Sequence, residues 1–459
     1  MFPKGHLAQH VGVRSHEYAY PRVIRFAALR GLLVMGVLAG VGIAVRPQLA
    51  VSPASDPVGR VASIVSVAAG AYTGYAVLSD GHVWAWGDDL EGQIGDNGPW
   101  SSRTIPVEVQ DLSAAVLVVG GANSVYALRG NGKVWAWGDD SQGELADARF
   151  TARQLPGPVR KLSAVRDIAA GAFTAYAIRD NGTAWAWGDD SFGQLGTGSG
   201  SGVVATPQEL TRLTHVVAIA ASTSDGYALL GDGTVWAWGD DSLGELGGGG
   251  CGPAPAGRPD TCLGSSVPQR VPDLTEVVAI AAGGDSVYAL RRDGSVWAWG
   301  DDEFGELGDG VRRLDEGAPV KVRGLSHVVA IAAGSCSGYA LLGDRTVWAW
   351  GRGDSGQLGD GSTSDRSIPV QVNGLAGVVQ VVGGGDMAFA LERNGSLWSW
   401  GTNTLGQLGN GSVVSRDLPT RVLGLPGSPR SAKTQRSEHP TRLLHPGGPL
   451  ADADGTVGL

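Results

Sequence analysis

The sequence predicts an all-β fold: a seven-bladed β-propeller with four-stranded blades, set behind an N-terminal apolar signal or anchor helix. The stretch V-W-A-W-G-D-D stands at residues 83–89, 134–140, 235–241 and 296–302, and close relatives of it surround Trp185, Trp348 and Trp398. Fourteen of the fifteen tryptophans fall in these seven W-x-W pairs, spaced by 51, 50, 51, 61, 51 and 50 residues. A near-constant period of this length marks a solenoid, propeller or array. Within each period the apolar runs are short and end at glycines, which reads as strands rather than helices. With 74 glycines and 42% hydrophobic residues, the composition is that of a folded, turn-rich chain.

Residues 1–54 stand apart from the repeats. They carry six Lys/Arg and one acidic residue, whereas the remainder has 29 basic against 44 acidic residues. Residues 31–45 are an uninterrupted apolar run of fifteen, preceded by Arg22, Arg25 and Arg30 and closed by Arg46-Pro47. That length fits a signal-peptide core better than a full span of about twenty residues. Ser52-Pro53-Ala54 offers small residues for cleavage, and residues 23–45 are the candidate anchor if it stays. The basic flank predicts that the repeats are exported, to be secreted or held on the extracytoplasmic side of the membrane. The acidic body repels phosphate backbones and argues against nucleic acid as a partner.

From residue 61 to 426 each repeat shows the same pieces in order. An apolar run ending in glycine comes first, as in Val277-Val278-Ala279-Ile280-Ala281-Ala282-Gly283. A short strand follows around Tyr75, Tyr126, Tyr176, Tyr227, Tyr288, Tyr339 or Phe389. Asp-Gly or Asn-Gly then supplies the positive φ that a hairpin turn demands. The sixth repeat has Asp344-Arg345 there, which predicts a looser turn. The V-W-A-W strand runs into a G-D-D-x-x-G-Q-L-G loop, and P-x-x-V-x-x-L closes the repeat, its proline opening a strand at a sheet edge. Seven whole repeats with no partial one left over predict a closed ring. Residues 427–459 lack periodicity and read as a disordered tail. Residues 247–266 hold the insertion behind the 61-residue step. A bridge between Cys251 and Cys262 would staple it in an exported protein, and Cys336 is left as a lone thiol.

The repeat G-x-x-x-S-x-Y-A-L…D-G-x-V-W-A-W-G-D-D-x-x-G-Q-L-G, seven times over, resembles the regulator of chromosome condensation repeat family. The resemblance covers about residues 61–425 and implies a seven-bladed propeller that serves mainly as a protein-binding platform. The family often places a histidine just ahead of the short aromatic strand, where this chain has Thr73, Ser124, Thr174, Asp225, Ser286, Ser337 and Met387. The apparent export signal does not suit the nuclear nucleotide-exchange role of the founding member. It suits the secreted bacterial members, one of which resembles an inhibitor platform for a β-lactamase.

The loud residues of the motif read as scaffold because every blade carries them. Alternation along a strand puts both tryptophans of a pair on one side, facing the neighbouring blade. One aspartate of each D-D pair closes its loop on backbone N–H groups. The loop lacks the alternating oxygen ligands of a calcium site, and no metal or cofactor is expected. Within the repeats only His82, His215 and His327 are available, and no catalytic triad or metal cluster can be assembled from them, so the chain reads as a non-enzyme. Arg352-Gly353-Asp354 spells an adhesion tripeptide but falls where other repeats have G-D-D, and is read as a drifted loop. Three Asn-Gly-Ser/Thr sequons begin at Asn181, Asn394 and Asn410, and two of them are hairpin turns.

Strand order places the turn after the first strand and the loop after the third on one face. The candidate partner-binding residues are Tyr72, Phe173, Asp285 and Asp386 in the turns, and Phe192, Leu243, Phe304 and Leu405 in the loops. These vary while the framework repeats, as expected of loops on a rigid scaffold. The expected function is an exported, monomeric ring that binds a protein or cell-surface polymer through one face. An extracytoplasmic polysaccharide lyase or glycosidase and a structural cell-envelope module are the competing classes.

Overall fold

The computed structural model describes residues 41–42, 62–200, 202–249 and 264–429. These lie in the unit Val37–Leu459, and all of Met1–Gly36 falls outside them. Each repeat becomes one antiparallel sheet with its strands paired in chain order. β1 (Val41–Gly42) comes before the first blade, which is built from β2 (Ile64–Ala69), β3 (Thr73–Leu78), β4 (Val83–Gly87) and β5 (Arg103–Glu108). Six further four-stranded blades begin at Ala115, Val165, Val216, Val277, Val328 and Val378. The first strands of adjacent blades touch one another around the ring, so they line its centre, and the fourth strands form the rim.

Of the expected N-terminal apolar helix, all but two residues lie outside the described ones. The only described residues of that run, Val41 and Gly42, form a strand that pairs antiparallel with Ala282 and Ala281 of the fifth blade. Among the described residues no helix is long and apolar enough to cross a membrane. The rest of residues 1–54, the Cys251–Cys262 segment and the tail beyond residue 429 lie outside the described residues.

The core is seven seams rather than one centre. Each apolar cluster joins the second and third strands of one blade to the first and second strands of the next, and takes in the valine and leucine of P-x-x-V-x-x-L. The second tryptophan of every pair is buried in a seam: Trp86, Trp137, Trp187, Trp238, Trp299, Trp350 and Trp400. The first lies half-buried against the same cluster, toward the hairpin-turn end of the strand, as Trp185 does with its N–H on Thr183 Oγ1 at 3.2 Å. Each buried indole N–H donates to a backbone carbonyl of the preceding blade, from Trp187 to Glu144 at 2.7 Å and from Trp350 to Glu306 at 2.6 Å. In five blades the same carbonyl accepts the hydroxyl of its own blade's tyrosine, as from Tyr126 to Glu144 at 3.0 Å and from Tyr288 to Glu306 at 2.9 Å. Aromatic pairs with polar edges are oriented as well as packed by such bonds.

The ring closes as predicted. Trp86 donates to the Gln407 carbonyl at 2.9 Å and packs edge-on against Phe389, 5.6 Å between centroids. Gln380 of the last blade both accepts from Val67 N–H (3.1 Å) and donates to Val67 O (2.9 Å). Blades seven and one thus join by the same means as any other pair, without sharing a strand.

Two local expectations are revised. The prolines do lie on edge strands, but inside them rather than at their start, as Pro106 does within β5. A register shift between Ala85 and Gly87 in the β4–β5 ladder accommodates the irregularity. The sixth hairpin is not looser: Arg345 takes φ +74°, within the range of its glycine counterparts, and keeps the same turn bonds (Arg345 N–H to Leu342 O, 2.9 Å; Leu342 N–H to Thr346 O, 3.0 Å). A side chain in this left-handed region costs about 1 kcal/mol, so Arg345→Gly is expected to stabilise the protein by roughly that amount in chemical denaturation.

Candidate functional site: the loop face

In every blade the turn after the first strand is tied to the loop after the third. The glycine that ends the W-x-W strand makes this possible. Gly87 has φ +103°, and a Cβ on it would stand 2.2 Å from the Tyr72 carbonyl oxygen, which accepts the Asp88 N–H at 3.0 Å. The same bond recurs in the other blades, for example from Asp301 N–H to Asp285 O at 2.8 Å and from Thr402 N–H to Asp386 O at 2.8 Å. Turns and loops therefore share one face, as the sequence predicts.

The second aspartate closes its loop. Asp140 accepts Leu145 N–H (2.8 Å) and Phe150 N–H (2.9 Å), and Asp190 accepts Leu195 N–H (3.0 Å) and Gly200 N–H (3.1 Å). Asn403 takes over in the seventh blade, accepting Leu408 N–H at 2.9 Å. In the sixth, Gly353 stands there, and its own N–H donates to Asp365 at 2.9 Å. The tripeptide containing it folds on itself, with Arg352 holding Asp354 through Nε (2.9 Å) and Nη2 (2.6 Å). The sequons are Asx turns throughout: Asn181, Asn394 and Asn410 each accept the N–H two residues on, at 3.1, 2.8 and 3.0 Å.

The charged residues that matter most on this face are ones the sequence reading passed over. The position before the leucine in G-Q-L-G is buried in all seven blades, and is glutamate in three of them: Glu144, Glu245 and Glu306. Each uses a carboxylate oxygen to accept the N–H two residues back, from Gln142, Leu243 and Phe304 at 2.7–2.8 Å. Burial, then the charge of Asp139, pushes Glu144 up to about 8. Burial, then Asp285, pushes Glu245 up to about 8, and burial, then Asp301, pushes Glu306 up to about 9. This buried side chain faces the turn of the next blade: Gln93 donates to Asn123 at 3.3 Å, and Gln357 to Asp386 at 3.5 Å. Burial also raises Asp285 to about 7, with Asp301 and Asp240 adding to the effect, and lifts the Cys336 thiol, with Glu306 the largest neighbouring charge. Among the described residues no three His, Cys, Asp or Glu side chains form a group that could hold a metal ion.

The candidate residues divide by depth. Tyr72, Phe173, Asp285 and Asp386 are half-buried in the turns. Phe192 is exposed, whereas Leu243, Phe304 and Leu405 are half-buried. Phe304 lies under the guanidinium of Arg352 from the next blade, 5.2 Å from ring centroid to Cζ, so it is an inter-blade contact as much as a free surface. Asp386 is raised by burial and drawn back by Arg352. Leu90, 61% exposed beside the first Asp pair, belongs with the set. Its signal was an apolar residue where the other blades carry Ser, Glu, Asp or Thr.

Residues 44–323 match the RCC1-like domain, and residues 344–391 and 394–437 match the regulator of chromosome condensation repeat. The chain belongs to this family. It is 32% identical over 317 residues to the human E3 ubiquitin-protein ligase HERC2, a match covering 65% of this chain but only 6% of that protein. It is 31% identical over 298 residues to the mitochondrial RCC1 domain-containing protein RUG3 of Arabidopsis thaliana, covering 61% of this chain and 63% of that one. Among solved structures, yeast RCC1 (Prp20) superposes with a TM-score of 0.65 at 20% identity, covering 76% of this chain and 85% of that one. Human WBSCR16 superposes at 0.62, also at 20% identity, covering 74% and 88%. At these identities the structural likeness is one of fold.

Proposed function

We propose that this propeller is an exported scaffold without enzymatic activity that binds another protein through its loop face. The observation that carries the reading is the division of labour within each blade. Buried tryptophans and loop-closing aspartates repeat around the ring, whereas the turn residues Tyr72, Asn123, Phe173, Ser224, Asp285, Cys336 and Asp386 differ from blade to blade. Varied side chains on a rigid frame, hydrogen-bonded from blade to blade, suit recognition of one extended protein surface. Binding proteins is also a habit of the fold's relatives: yeast RCC1 has been seen bound to Kap60, and Prp20p has been characterised for its binding to Gsp1p and histones. Export rests on the basic-flanked apolar run at residues 31–45, which supports secretion or anchoring on the extracytoplasmic side.

Affinity capture with the full chain, run separately on extracytoplasmic and cytoplasmic fractions, tests both halves. The expected result is a protein recovered from the extracytoplasmic fraction and lost when Phe192, Leu90 and Asp285 are replaced together. Turnover of a glycan with no protein recovered would replace the scaffold by an enzyme, and a partner found solely in the cytoplasmic fraction would refute export.

A further inference from the structure

The seam between the fourth and fifth blades differs from the other six in a way that points to a ligand. Around the ring, the buried Gln/Glu of one blade faces the turn residue of the next, and beneath them lies a small hydroxyl residue at Thr73, Ser124, Thr174, Ser286 and Ser337. In the fourth blade alone that position is an acid, Asp225, and there the facing pair is Glu245 and Asp285. Three carboxyl groups therefore share one seam. Asp225 is 1% exposed and Glu245 is 2% exposed, with Asp285 half-buried above them.

Among the described residues no counter-charge is paired with them. The charges acting on Asp225 are Glu245, Asp285 and Asp240; those acting on Asp285 are Asp301 and Asp240. None of the ion pairs among the described residues involves any of the three carboxylates; Arg313 of the fifth blade's loop is held by Asp302, Asp309 and Glu316, and Arg352 of the sixth by Asp354. Ser222 donates to one oxygen of Asp225 at 2.5 Å, but Oδ1 has no hydrogen-bond partner. The Tyr227 hydroxyl has none either, although its counterparts on Tyr75, Tyr126, Tyr176, Tyr288 and Tyr339 each reach the loop carbonyl. Buried polar atoms in native proteins are paired as a rule, and exceptions call for an explanation such as an absent ion or ligand. Among the described residues no three acids close to metal-binding geometry, and a larger, hydrogen-bonding cation fits the seam.

We propose that this seam is where a partner protein inserts a cationic side chain, an arginine or lysine of a basic segment, with Asp285 at the mouth and Asp225 and Glu245 beneath it. The proposal rests on the scaffold reading and adds the chemistry of its partner. A cation entering the seam favours the ionised carboxyls, so binding near neutral pH releases protons.

The test is calorimetric titration of the full chain with an acetylated, amidated hexa-arginine peptide in two buffers of different ionisation enthalpy. The expected result is saturable one-to-one binding with proton release. Replacing Asp225→Ser and Asp285→Asn together should weaken it by about tenfold or more, as loss of close charge partners does. Serine occupies the Asp225 position in three other blades, so the fold is retained, and an unshifted melting curve confirms it. Glu245→Gln, which introduces the residue found in four other blades, should weaken binding by a smaller factor. Asp232→Asn with Asp293→Asn removes two charges from the hairpin turns of the opposite face and should leave the affinity unchanged. Equal weakening by both double variants, or no weakening by the first, would reduce the effect to net charge and overturn the proposal, as would saturation by magnesium or calcium in place of the peptide. A captured protein partner that binds the Asp225/Asp285 variant at full strength would overturn the seam while leaving the scaffold intact; failure to capture any partner bears on the scaffold alone.

Discussion

Trp350→Ala is expected to lower stability by about 3–5 kcal/mol, while Trp348→Ala, two residues earlier in the same motif, lowers it by at most about 2 kcal/mol. Trp350 is fully buried between blades five and six, edge-on to Tyr288 at 5.5 Å, with its indole N–H on the Glu306 carbonyl at 2.6 Å. Truncation empties the seam and removes a donor from a buried carbonyl. Trp348 lies half-buried beside the hairpin turn, where its N–H reaches Thr346 Oγ1 at 3.3 Å, and water can fill the space it leaves. Trp350→Phe should cost about 1–2 kcal/mol, since the ring volume is largely kept and the Tyr288 hydroxyl still serves the carbonyl. Denaturant unfolding of the three variants gives the ordering. Equal losses at Trp348 and Trp350 would contradict the assignment of the seams to the second tryptophan.

The second large effect concerns pH. Glu144, Glu245 and Glu306 are held in the fold at about 8, 8 and 9, against an ordinary value near 4.5. The folded state therefore retains protons that the unfolded chain releases, and stability falls as pH rises from about 4.5 to about 9, levelling beyond. Below 4.5 both states are protonated and these groups contribute nothing. Replacing all three by glutamine, the residue native to the equivalent positions Gln93, Gln194, Gln357 and Gln407, keeps the acceptor for the N–H two residues back. At pH 9 the gain should be on the order of 1–3 kcal/mol per site, below strict additivity because Glu245 shares its seam with Asp225 and Asp285. At pH 4.5 the variant and the wild-type protein should unfold together. A variant no more stable at pH 9 than the parent would show that these carboxyls ionise freely.

The frame of the molecule was legible because it repeats. The period located the blades, the alternation in V-W-A-W placed both indoles on the seam, and the whole number of repeats anticipated closure through Trp86 and Gln407. What periodicity could not convey was depth. Both tryptophans of a pair sit on the same side of a strand, and only the packed ring shows that one is buried inside the seam and the other half-buried beside the hairpin turn. The acid cluster was hidden for another reason. Glu245 and Asp285 are forty residues apart in the chain and meet because one blade's loop overlies the next blade's turn. Asp225 did leave a trace, as an acid in a column of Ser and Thr. Arg345 erred in the opposite direction: local propensity argued for a loose turn, and the pairing of its flanking strands imposed the left-handed conformation anyway.

Amide hydrogen exchange of the full chain, with and without its captured partner, tests the central claim most directly. The account predicts slowed exchange confined to the loop face, in the turns at 70–73, 171–174, 283–286 and 384–387 and the loops that begin at Asp88, Asp189, Asp240 and Asp301, strongest between the fourth and fifth blades. Protection confined to the hairpin turns of the opposite face, at 80–82, 181–183 and 293–295, with the loop face unchanged, would contradict it.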